Sequence, residues 1–84
     1  MDTWIDELAV ALALEPLSPE EADQLLRMAR DVAHRVERKG APLASFLLGM
    51  HVARRTADGS ARASALDEVI ASAEALLPLA PEEP

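Results

Sequence analysis

Apolar residues recur along this chain at the three-and-four spacing of helices, in four runs divided by proline or glycine, and no run alternates as a strand would. At about 100° per residue, Trp4, Ile5, Leu8, Ala11 and Leu12 share one side of the first run, and Asp6, Val10 and Ala13 lie opposite. Thr3 is placed to cap this helix, with Asp6 three residues on, and Trp4 reads as a packing residue. The helix is expected over residues 3–14. Glu15-Pro16-Leu17 ends it, because the residue before proline avoids the α region.

Ser18 as N-cap, Pro19 at the first helical position and the acids Glu20 and Glu21 open a second helix, expected over 19–39. Ala22, Leu25, Ala29, Val32, Ala33 and Val36 form its apolar face, with Leu26 and Met28 on the shoulders. Arg27, Asp31, His34 and Arg38, spaced 4, 3 and 4 apart, make one polar stripe opposite. Gly40 is the expected left-handed stop.

Pro42 opens a third helix, expected over 43–57 and folded back on the second by the short link. It is apolar on two sides. Leu43, Phe46, Leu47, Met50 and Ala53 share one face, Leu48 and Val52 lie nearly opposite, and Ser45 with Gly49 forms a strip of small residues beside them. This helix is therefore expected at the centre of the fold, with Leu48 and Val52 offering a second interface through which the chain self-associates. Gly49 costs about 1 kcal/mol against alanine in a helix interior, and a close helix crossing would compensate.

Asp58-Gly59 is turn chemistry, and the last helix is expected over 62–77, starting between Ser60 and Ser64 with Asp67 three residues after the second serine. Its stripe is Leu66, Val69, Ile70, Ala73, Leu76 and Leu77, Pro78 stops it, and 79–84 reads as a disordered acidic tail. The expected architecture is all-α: a small four-helix bundle, one domain over 1–78, with antiparallel neighbours.

Charge adds a second pattern. All 8 lysines and arginines fall between Arg27 and Arg62, where the only acids are Asp31, Glu37 and Asp58, while both flanking segments carry acids and no base. The formal net charge is −7, which argues against general nucleic-acid binding. The absence of cysteine excludes disulfide and thiolate chemistry. The longest uncharged run, residues 40–53, is shorter than the ~20 residues of a membrane span, so a soluble cytoplasmic chain is expected. Asp31 and His34, with His51 far along the chain, lack a third ligand at metal spacing. No nucleophile and base are paired by spacing, so the chain is expected to be no enzyme and to hold no cofactor. A carrier protein of this size needs an Asp-Ser-Leu attachment motif at the second helix, where Ser18 is instead followed by Pro19.

The candidate interaction residues are Arg27, Asp31, His34, Arg35, Glu37, Arg38 and Arg55 of the basic middle, with Leu48 and Val52 beside them. Two uses are open for this surface: docking a protein partner, or binding a phosphate, nucleotide or pterin through arginine forks. Self-neutralisation by surface ion pairs is the competing role, each worth about 0–1 kcal/mol.

The residues Asp31-Val32-Ala33-His34, Val36-Glu37-Arg38, Ala41-Pro42-Leu43, Phe46-Leu47 and Gly49, after an opening Met1-Asp2-Thr3-Trp4-Ile5-Asp6-Glu7-Leu8, resemble a small uncharacterised helical family of GC-rich bacteria, DUF6457. Members of that family stand alone or extend the C-terminus of molybdenum-cofactor guanylyltransferase-like proteins. The resemblance implies an accessory role near cofactor nucleotide attachment or a molybdoenzyme, with His34, Glu37, Arg38, Pro42 and Gly49 as candidate positions. It implies no transferase activity, since the chain has no glycine-rich nucleotide loop.

Overall fold

The computed structural model describes residues 3–79, and its elements run α1 (Thr3–Ala11), α2 (Pro19–Arg35), α3 (Gly40–Ala57) and α4 (Arg62–Leu76). The expected all-α architecture holds, with four helices and no strand among the described residues. The cap expected of Thr3 and the tail beyond Leu79 lie outside what is described. Helices α2, α3 and α4 pack on one another, whereas α1 makes no close backbone approach to any of them.

Local chemistry explains where each helix starts and stops. Ser18 caps α2 and accepts from the Glu21 amide at 3.1 Å, while the Glu21 carboxylate accepts from the Ser18 amide at 2.9 Å, a complete capping box. At the end of α3, Gly59 at φ 100° lets its amide reach the Thr56 carbonyl and the Ser60 amide reach that of Arg55, as in a Schellman close. The same pair of bonds ends α1 at Ala11 instead of 14, with the Leu14 amide on the Ala9 carbonyl and Ala13 at φ 57°. A left-handed alanine costs about 1–2 kcal/mol, so this end is intrinsically weak.

Two boundaries in the middle differ from expectation. α2 stops at Arg35, leaving Glu37, Arg38 and Lys39 in the turn, and Gly40 is the first residue of α3 rather than a left-handed stop. Close approach is what Gly40 allows: a Cβ there would sit 3.1 Å from Val32 Cγ1 in the core. The fourth helix begins at Arg62, as expected, after Ala61, which makes no side-chain cap.

The core is small: Met28 and Val32 from α2, Leu48 from α3, and Leu66, Val69 and Ile70 from α4, with Leu25, Ala44, Val52, Ala73 and Leu77 around them. The expected faces of α2 and α4 turn inward apart from Val36 and Leu76, which are exposed. On α3 the order is reversed. Leu48 is 7% exposed and Val52 packs beside it, whereas Leu43, Phe46, Leu47 and Met50 point to solvent. Leu48 therefore holds the core together and offers no interface, which removes self-association through that residue. Trp4 at 61% exposure is likewise no core residue. Nothing approaches the Gly49 Cβ position within 4 Å, so there is no close helix crossing at that residue.

Candidate functional site

α3 builds the most distinctive surface. Leu43, Phe46, Leu47 and Met50 stand at the i, i+3, i+4, i+7 spacing that lines one side of a helix, and each is 56–66% exposed. Arg54 continues this side one turn further, and Arg38 with Lys39 precedes the helix. Between Glu37 and Asp58 the chain has no acid. The result is an open hydrocarbon strip with cations at both ends and no negative charge of its own.

The basic stripe foreseen on α2 is partly realised. Arg27 and His34 are exposed on the side away from the core, and Arg38 is exposed in the turn, off the helix that was expected to carry it. Arg27, His34, Arg35, Arg38 and Lys39 make no ion pair among the described residues; Arg30 pairs with Asp31 at 3.5 Å. Arg55 is turned inward instead, reaching Glu68 of α4 at 3.5 Å, with His51 Nε2 on the other oxygen of Glu68 at 3.4 Å. These contacts and the 2.7 Å bond from Gln24 to Asp67 clip α4 to its neighbours. The cavity beside Arg27 measures about 70 Å³ and is shared with Asp31 and Glu74. Two acids in so small a space oppose an anion there. Among the described residues no group of three histidines or acids is disposed to hold a metal ion, and no helix is long and apolar enough to cross a membrane.

One ionic cluster escaped the reading of spacing because its members lie 41 residues apart. The Arg62 guanidinium donates to Glu21 Oε2 at 2.8 Å and Oε1 at 2.6 Å, to the Glu15 carbonyl at 2.7 Å and to the Pro16 carbonyl at 2.8 Å. It ties the start of α4 to the start of α2 and to the link from α1. Glu21 is 5% exposed, and this fork holds its carboxyl below the ordinary value of 4.5, with the Ser18 amide assisting against the cost of burial. A depressed carboxyl stabilises the fold above its ordinary value and ceases to do so as pH falls through the folded one. Acid titration followed by circular dichroism is therefore expected to show stability declining below about pH 4.5, and Glu21→Gln is expected to flatten that decline.

A small all-α domain with an exposed apolar strip along α3 is the class that the geometry defines. The chain belongs to the family described as Domain of unknown function (DUF6457), whose profile matches residues 1–83. No curated protein and no solved structure matches the chain.

Proposed function

We propose that this chain is a non-catalytic accessory domain that receives an acidic amphipathic helix of a partner protein on the outer side of α3. The observation that carries the reading is the exposure of Leu43, Phe46, Leu47 and Met50 on a helix without an acid, bounded by Arg38, Lys39 and Arg54. An exposed apolar row at this spacing is a helix side that a second amphipathic helix can cover, and cations at its rim favour partners with acidic flanks. The same charges oppose a second copy, since two such strips would bring cations together.

The family resemblance directs the search for that partner to the cytoplasm, to enzymes of molybdenum-cofactor nucleotide attachment and to molybdoenzymes. Isothermal titration against a purified molybdenum-cofactor guanylyltransferase tests both parts. The expected result is binding that weakens at least about tenfold in Phe46→Asp and Leu47→Asp, with unchanged melting because both positions are exposed. No binding by the parent chain would remove the cofactor context, and binding indifferent to both substitutions would remove α3 as the surface.

A second reading, a phosphate, nucleotide or pterin site, rests on Arg27, His34, Arg35, Arg38 and Lys39, which make no ion pair among the described residues. Chemical-shift titration with GTP and pyrophosphate at low salt decides it: saturable shifts on these residues support it, and their absence removes it.

A further inference from the structure

Between α1 and the other three helices lies a cavity of about 490 Å³, walled by Ile5, Leu8 and Leu12 on one side and by Leu25, Val52 and Leu66 on the other. This is the size of a small-molecule pocket, typically about 300–1,000 Å³. Its polar walls decide what fits. Ser45 Oγ donates to the Ala41 carbonyl and Thr56 Oγ1 to the Ala53 carbonyl, both at 3.0 Å. Arg62 is engaged with Glu21 and two carbonyls, as described above, and the remaining polar residue, Glu15, is exposed beside Arg62. No cation is left to meet an anionic head group, and no buried donor in the wall waits for an acceptor. A charge placed among these walls would find no partner, while a hydrocarbon would lose nothing on entry.

The geometry points to a binding site for a neutral, predominantly hydrocarbon molecule in this cavity, with α1 as its movable wall. Gly49 supports the assignment. It lines the cavity and has nothing within 4 Å of its Cβ position, so the glycine, which weakens a helix interior, leaves room for a ligand along α3. α1 is suited to move because it is joined through the strained Ala13 and approaches no other helix closely.

The test uses the whole chain, with N-phenyl-1-naphthylamine as a neutral fluorescent probe and with decanol and decanoate as competitors. Saturable binding of one probe per chain is expected, displaced by decanol at a concentration at least about tenfold below that needed for decanoate. Gly49→Leu should fill the space, weakening the probe at least about tenfold while melting no lower than the parent. Ala53→Leu, an exposed position on the same wall, serves if Gly49→Leu fails to fold. The assignment is overturned by absent or non-saturable binding, by affinity untouched in the folded variant, or by decanoate competing as well as decanol. It is also overturned if sedimentation shows a dimer that Gly49→Leu dissociates, since a second copy would then be the occupant.

Discussion

Arg62→Ala is expected to lower the unfolding free energy by about 3 kcal/mol, the low end of what removing one partner of a buried ion pair costs. The low end applies because the Arg62 side chain keeps 29% of its exposure, while that of Glu21 keeps only 6%. The loss has two parts. Glu21 retains a negative charge that no guanidinium offsets, and the carbonyls of Glu15 and Pro16 lose the donor that fixes the link between α1 and α2. In a domain of this size each kcal/mol moves the melting temperature by about 4–8 °C, so thermal circular dichroism should register a fall of about 12 °C or more. Arg62→Lys should fall between, since a point charge replaces a planar fork that serves four acceptors. Combining Arg62→Met with Glu21→Gln should cost less than the two single changes summed, because neither partner is then left charged and alone. A melting temperature for Arg62→Ala within about 2 °C of the parent would show that the pair is incidental.

Leu47→Ala and Leu48→Ala should separate by about 2 kcal/mol or more although the residues are adjacent and chemically identical. Leu48, 7% exposed, packs in the cluster of Met28, Val32, Leu66, Val69 and Ile70, and truncating a buried leucine costs about 2–5 kcal/mol because the cavity collapses incompletely. Leu47 is 64% exposed, where substitution away from a packed site stays within about 0.5 kcal/mol. Urea unfolding of the two variants reads the orientation of α3 directly, because composition, helix propensity and local sequence are the same. Equal midpoints, or a larger loss at Leu47, would mean that the strip assigned to a partner is the core side. The docking surface and the stability of the domain thus depend on one angle, the rotation of α3 about its axis.

That angle was not legible in the chain. Periodicity correctly groups Leu43, Phe46, Leu47 and Met50 on one side and Leu48 with Val52 on another, but a helix apolar on both sides carries no polar face to say which side is wet. On α2 and α4 such a face exists, with Arg27 and His34 on the first and Asp67 and Glu68 on the second, and the inward residues follow from it. Gly40 misled for a related reason. A glycine after a helical run signals a left-handed stop, and only the 3.1 Å approach of Val32 reveals that its missing side chain matters more than its backbone freedom.

The sequence by itself determined four helices and most of their limits, because proline geometry, the Ser18–Glu21 capping box and the Gly59 turn act within a few residues and need no tertiary partner. It also determined the two-sided apolar character of α3 and the gathering of cations in the middle of the chain. Tertiary structure alone decided which side of α3 is buried, that α1 stands away over a cavity, and that Arg62 and Glu21, 41 residues apart, meet. These depend on how side chains from different helices fill one space and satisfy one another's charges, and spacing along a single helix carries no record of that.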